Sequence, residues 1–362
     1  MKKILVLLII ITLVATFYVA LRAFRTKLDR VLSTQPVQTF TQPTPTPTSP
    51  AAKEIDRTLF VPYWSLKNAS PLPPYHTLVY FGVQVGEKGL DTTDDGYKNL
   101  GSFVRDAGTS ETVLTVRMLD STTNFAILKD KAVQESLIKD SIALAQKYHF
   151  KGILLDIELS ALPFSSLVDQ IDIFNTKFAR ASHAKGFTYA VTAYGDTFYR
   201  LRPFDIKRLA QDVDGMYVMA YDFSKAKGNP GPNFPLSGSS TYGYDYEHML
   251  NNFADSVPLK KLTIIFGMYG YDWAVDDRGI AQAVGEAVAL KDIKANIIDS
   301  CKHLECNWER DSVSAETKAI YKDSDTGKHT VWFEDEQSVK RKEDYLKSHG
   351  VGSFAYWAYS YF

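Results

Sequence analysis

Gly152-Ile-Leu-Leu-Asp156-Ile-Glu158 is the stretch whose reading decides the fold. Its apolar residues run without alternation up to two acids. That pattern marks a strand covered on both faces, as in a parallel sheet. Seven further β-rich runs flank it: Leu59–Trp64, Thr77–Val83, Thr112–Met118, Thr188–Ala193, Gly215–Tyr221, Leu262–Met268 and Gly352–Trp357. Helical stretches such as Gln134–Tyr148, Ser166–His183 and Ser338–His349 supply crossovers between them. Eight β/α units in about 300 residues predict an α/β TIM (β/α)8 barrel over residues 55–362. A doubly wound sheet is the alternative, but no glycine-rich phosphate turn follows the first run. The interval from about Ala274 to Val331 is too long for one β/α unit. It reads as a small α+β insertion between strands seven and eight, with a hairpin turned at Ser324-Asp-Thr-Gly327.

Composition narrows the class. With 45% hydrophobic, 13% aromatic and 23% charged residues among 362, the chain is neither disordered, collagenous nor polytopic in a membrane. Residues 55–362 hold 34 Lys/Arg against 40 Asp/Glu, a poor balance for binding a phosphate backbone, so no nucleic-acid partner is expected. Two cysteines make neither a disulfide scaffold nor a four-ligand zinc site.

The N-terminal residues 1–30 read as a membrane anchor with basic flanks, and residues 31–54 as a Pro/Thr-rich linker. Lys2 and Lys3 precede an apolar run from Ile4 to Leu21, long enough to span roughly 27 Å as a helix. No good small-x-small pair marks a cleavage site, so an uncleaved anchor is expected, with secretion as the alternative. Arg22, Arg25, Lys27 and Arg30 follow the span, so the positive-inside count does not support an outward C-terminal part. The linker, ending Pro43-Thr-Pro45-Thr-Pro47, is the better guide: it stays extended and holds a domain away from a membrane. The expectation is a membrane-anchored, extracytoplasmic, monomeric domain.

In such a barrel the chemistry sits at the C-terminal ends of the strands. Asp156 and Glu158, two residues apart on a strand, project from one face into the barrel mouth. Two acids so close share a proton near neutral pH, and a protonated Glu is what a glycosidic oxygen needs from a general acid. The alternative is a pair that caps the next helix or binds an arginine. The sixth run ends Met219-Ala-Tyr221-Asp222-Phe223 and enters a Gly/Pro-rich loop, Gly228–Leu236. Aromatics stand at other strand ends, Tyr63-Trp64 in the first and Tyr356-Trp357 in the last. Singly each is a core residue. Together at one barrel mouth they suit a sugar, whose rings present apolar C–H faces.

At these residues the chain resembles glycoside hydrolase family 18, the chitinases and related N-acetylglucosaminidases. Phe150–Glu158 is similar to the family's DGxDxDxE signature and Met219-Ala-Tyr-Asp222 to its M-x-Y-D. Lys261–Trp273 resembles its KLVLGIPFYGRxW strand, Val331–Val339 the segment before its last helix, and Gly352–Trp357 its closing strand. The Pro-Gly-Pro-Asn-Phe-Pro-Leu loop is closest to the bacterial branch acting on peptidoglycan in spore cortex and cell walls. The resemblance implies a TIM barrel and a retaining, substrate-assisted mechanism on β-1,4 bonds at N-acetylglucosamine, in peptidoglycan or chitin-like glycans. By position it implies Glu158 as general acid and base, Asp156 orienting the acetamido N–H, and Tyr221 donating to the acetamido oxygen. It implies Asp222 on sugar hydroxyls and Trp357 as floor, with Tyr63, Phe81, Met219 and Tyr269 lining the site. No cofactor and no metal are implied.

Two departures stand out. The signature's outer and middle acids are Lys151 and Leu154 here, which leaves Asp156 coupled to Glu158 alone. The usual Ser-x-Gly-Gly after the third strand is replaced by Val116-Arg-Met-Leu-Asp120. Arg117 is a candidate for reshaping the site or contacting an anionic glycan, against a plain surface or ion-pair role. Cys301 and Cys306 either close a small disulfide loop or stay as thiols, and His303 between them is too little for a metal site. The competing functional class is a catalytically silent, chitinase-like lectin. Such relatives lose the position of Glu158, whereas this chain keeps Glu158, Asp156 and Tyr221.

Overall fold

The structure, a computed structural model, describes residues 56–68, 71–301 and 305–362. The expected anchor and linker fall outside the described residues. No described helix is long and apolar enough to cross a membrane.

Strands β1 (Asp56–Pro62), β2 (Thr77–Gly86), the two-residue β3 (Gly89–Leu90), β4 (Glu111–Met118), β5 (Gly152–Ile157), β6 (Thr188–Tyr194), β7 (Gly215–Met219) and β8 (Leu262–Gly267) come first. Five strands of a second sheet follow: β9 (Tyr269–Ala274), β10 (Glu286–Ala289), β11 (Asn307–Arg310), β12 (Thr317–Asp323) and β13 (Gly327–Phe333). The last strand is β14 (Ser353–Trp357). In the main sheet β2, β4, β5, β6, β7, β8, β14 and β1 pair parallel in that order, and β1 pairs β2 to close an eight-stranded barrel. All eight runs read from the sequence are the barrel strands.

Alternation along the strands sorts the apolar residues into two layers. On β5, Ile153, Leu155 and Ile157 join the large outer core with the helices. Leu154 points inward, where it meets Phe60, Val79, Met219 and Ile265. The same period carries Asp156 inward, one step closer to the barrel mouth than Leu154. The covering helices follow from sequence as well. Helix Ser165–His183 buries Leu167, Ile171, Phe174 and Phe178, a stripe at helical spacing. Helix Lys131–Lys147 starts at Asp130, whose carboxylate accepts from the amides of Ala132 and Val133.

Between β8 and β14 the order β10-β9-β13-β12-β11 forms an antiparallel sheet. It begins at Tyr269 and ends at Phe333, wider than the 274–331 read from sequence. The difference lies in Tyr269–Ala274, which continues a motif that starts in β8 and so reads as part of one segment. The β12–β13 hairpin turns at residues 324–326, where Asp323 accepts from the amides of Asp325 and Thr326. Cys301 and Cys306 are joined by a disulfide, with Cα atoms 5.1 Å apart.

Candidate active site

The barrel mouth opens into a cavity of about 320 Å3, the scale of a small-molecule site. Its floor and walls include Asp156, Glu158, Tyr221, Asp222, Met219, Phe81, Tyr269 and Trp357, eight of the nine predicted site residues. Tyr63 is the exception. It begins a short 3-10 turn after β1 and packs 5.5 Å from the Arg117 guanidinium, outside the cavity lining. Strand β1 ends at Pro62, so Tyr63 belongs to the turn that follows and not to the strand's inward face.

Asp156 is buried, and its Oδ1 accepts a hydrogen bond of 2.5 Å from Thr192 Oγ1. Burial, followed by repulsion from Glu158, pushes its carboxyl up to about 7; the Thr192 bond and the Arg117 charge act the other way. Glu158 follows β5 directly. Its amide donates to the Met118 carbonyl at 2.9 Å. Asn124 Nδ2 donates to both the Glu158 and Met118 carbonyls, at 2.8 and 2.7 Å, tying the ends of β5 and β4 together. The Glu158 carboxyl accepts from the Tyr194 hydroxyl at 3.1 Å. It too is raised, above all by burial, so the pair retains a proton toward neutral pH. Burial and the charges of Asp156, Asp222 and Glu158 raise the Tyr221 hydroxyl well above its ordinary value, which keeps it a donor.

Asp222 has φ +58°, in the left-handed region that a non-glycine residue enters at a cost. The surroundings hold it there. Its amide donates to Asn233 Oδ1 at 2.7 Å, and its carboxylate accepts from Tyr269 and, at 2.8 Å, from Tyr271. Gly267 at the end of β8 lets Tyr221 seat beside it: a Cβ there would come within 2.8 Å of the Tyr221 Cβ and 2.6 Å of the Tyr269 ring. Trp357 is braced edge-on by Phe81 at 4.6 Å between centroids and by Phe60 at 5.7 Å, with exposed Trp64 at the rim 6.4 Å away.

Arg117 does not have the surface or ion-pair role weighed for it. It is buried opposite Asp156 in the β4–β5 register, with no carboxylate in ion-pair range among the described residues. Its Nη1 donates to the Gly82 carbonyl at 3.2 Å, its Nε is unpartnered, and Phe81 lies 4.8 Å from the guanidinium. Sequence reading missed Thr192, Tyr194, Asp196, Arg202 and Asn124. The first three sit at alternate positions at the end of β6, the same pattern that flagged Asp156 and Glu158. Asn124 gave no signal, because its role depends on a carbonyl 34 residues away.

The sequence model of the glycosyl hydrolases family 18 matches residues 63–361. The chain belongs to that family. Among family 18 relatives, the cortical fragment-lytic enzyme of Bacillus anthracis is 25% identical over 238 residues, 64% of this chain and 51% of that protein. The di-N-acetylchitobiase of Mus musculus is 25% identical over 251 residues, 63% of this chain and 66% of that one. The chain thus spans about half the length of the cortical fragment-lytic enzymes it matches. In fold it is similar to the Bacillus cereus spore cortex-lytic enzyme SleL, with TM-score 0.68, 19% identity, and 84% of this chain and 71% of that one covered. It is also similar to the class V chitinase of Nicotiana tobaccum, with TM-score 0.73, 17% identity, and 85% and 95% covered. The silent-lectin alternative gains no support from these relatives.

Proposed function

We propose that the protein hydrolyses β-1,4 bonds at N-acetylglucosamine in peptidoglycan or chitin-like glycans, with retention and with the substrate's acetamido group as nucleophile. The observation that carries this reading is the state of the four carboxyls lining the cavity. Asp196 is bound by Arg200 and Arg202, and Asp222 by two tyrosine hydroxyls. Asp156 and Glu158 share a proton toward neutral pH, and they lie on one strand face. A two-carboxylate retaining site needs a nucleophile across the sugar ring from the acid, and among the described residues the other two carboxyls lining the cavity are already engaged by arginines or tyrosines.

In this reading Glu158 protonates the leaving oxygen and then activates water. Asp156 accepts from the acetamido N–H and sharpens its carbonyl as a nucleophile. Tyr221 lines the cavity with no hydrogen bond to another described residue, so its hydroxyl is free to hold the acetamido oxygen. Trp357 offers the apolar face under the ring. The barrel works outside the cytoplasmic membrane, tethered through residues 4–21; the Pro/Thr linker and the Cys301–Cys306 bridge, a feature of oxidising compartments, support this.

Proton NMR of the first product from an N-acetylglucosamine oligomer tests the stereochemistry: β product supports the reading, and initial α product sinks it. A thiazoline analogue of the cyclised intermediate should inhibit competitively.

A further inference from the structure

The mechanism above leaves one buried charge unused. Val116 and Met118 on β4 join the outer core, so Arg117 between them points into the barrel. There it pairs in register with Asp156 on the neighbouring strand. Only 8% of the residue is exposed. Its guanidinium lies 4.8 Å from the Phe81 ring and 5.5 Å from the Tyr63 ring, and Nη1 donates to the Gly82 carbonyl. Nε is buried without a partner, and no carboxylate among the described residues is in ion-pair range. A guanidinium buried without a counter-charge costs free energy, and a side chain that merely filled the space between two rings would be apolar. Arg117 sits behind Phe81, outside the cavity lining, so its charge acts on the site through a neighbour.

That neighbour is Asp156. Two acids sharing one proton have two arrangements, and the chemistry uses one of them: Asp156 ionised to accept from the acetamido N–H, Glu158 protonated to meet the leaving oxygen. Burial and Glu158 raise the Asp156 carboxyl, while the Thr192 bond and the Arg117 charge draw it down. Glu158 faces the Tyr194 hydroxyl, Asp222, Arg202 and Lys225. Asp222 repels a charge there, Arg202 is paired with Asp196, and Lys225 is exposed and screened by solvent. The hydroxyls of Tyr194 and Tyr221 reach both acids; burial, followed by the acids' charge, raises them, so they stay neutral. On the β2 side of Arg117 the Tyr80 hydroxyl is likewise raised by burial.

We propose that Arg117 is a positioning residue: its buried, unpaired guanidinium, set at the level of Asp156, keeps the negative charge of the acid pair on Asp156 and the proton on Glu158. This deepens the glycosidase reading and rests on it. It explains why a cation without a counter-ion is buried beside the barrel's inner acid, where the next inward residue down the strand is Leu154.

The test follows kcat/KM on an N-acetylglucosamine oligomer as a function of pH. The acid limb reports the ionisation that leaves the free enzyme with one proton on the pair. In Arg117→Gln, which keeps a donor and removes the charge, that limb should move up by about one pH unit, with a loss of about tenfold at pH 6 that shrinks as the pH rises. Arg117→Lys, which keeps the charge, should leave the limb in place. If the Gln variant does not fold, Arg117→Met makes the same measurement with the space between the rings filled. An equal loss at every pH in the variants without the charge would mean that Arg117 only props Phe81, and would overturn the proposal. A limb that moves as far in Arg117→Lys would overturn it too. NMR of the Asp156 carboxyl carbon needs no turnover and so separates this from the broader reading: Asp156 should titrate about one pH unit higher in Arg117→Gln. That change without any cleavage by the wild type would uphold the hold of Arg117 on Asp156 and remove the glycosidase. Cleavage with the Asp156 titration unmoved would do the reverse.

Discussion

Asp156 shares the site's proton with Glu158, at a cost to the fold. In an unfolded chain its carboxyl ionises near pH 4, whereas burial and Glu158 push it up to about 7 in the barrel. Below about pH 4 it is neutral in both states and costs nothing. Between pH 4 and 7 the unfolded chain ionises first, so folded-state stability falls, and above 7 the full cost remains, on the order of 2–4 kcal/mol. Asp156→Asn should therefore abolish most activity yet raise the melting temperature at pH 8, with the gain vanishing near pH 4; thermal unfolding across that range checks it. Glu158→Gln keeps shape and hydrogen bonding but removes the transferable proton. Its kcat should fall by at least ~10²-fold with binding retained, and unchanged turnover would remove Glu158 from the mechanism. Both residues were legible in the sequence because a strand's period and its apolar run fix where an acid points. Arg117 was not legible. Nothing in Val116-Arg-Met says that the side chain is buried beside Asp156 without a carboxylate in ion-pair range among the described residues, since its neighbours come from other strands.

The elements that hold Asp222 reach well outside the barrel strands. Glu316, just before β12, accepts from the amides of Asn233 and Phe234 at 2.5 and 2.7 Å, and Asn233 fixes the Asp222 amide. Lys342, on helix Glu336–Ser348, is fully buried and donates to Glu316 at 2.7 Å and to Glu334. The inserted sheet is thus tied to the site through one buried ion cluster. Lys342→Met would leave two buried acids facing each other, so it should cost about 3–5 kcal/mol in urea unfolding at pH 7. The loss should shrink toward pH 4, as Glu334, already raised to about 7 mainly by burial, takes up a proton. The sequence showed an insertion and its hairpin, because turn residues and alternation are local signals. It did not show that Tyr269–Ala274 leaves the barrel, since Tyr269 serves the site while Trp273 packs in the second sheet. One continuous motif there supplies two sheets.

At the scale of the whole molecule, the eight apolar runs announced the barrel because each crossover must return the chain to the same end of the sheet. That also placed the strand-end acids and aromatics at one mouth. What sequence left open is what tertiary contacts decide: which aromatics face the cavity, as Trp357 does and Tyr63 does not, and which charges find partners. The location follows from the proposed tether. Residues 55–362 should fractionate with membranes and be digested by protease added to cells whose outer envelope, where present, has been opened; protection in such cells would contradict an extracytoplasmic barrel. The most direct measurement of the chemistry is the rate of cleavage of an N-acetylglucosamine oligomer beside that of its fully de-N-acetylated counterpart. With the nucleophile supplied by the acetamido group and held by Tyr221 and Asp156, the acetylated oligomer should be cut and the glucosamine oligomer left intact. Cleavage of the two at similar rates would contradict substrate assistance, whatever the fold.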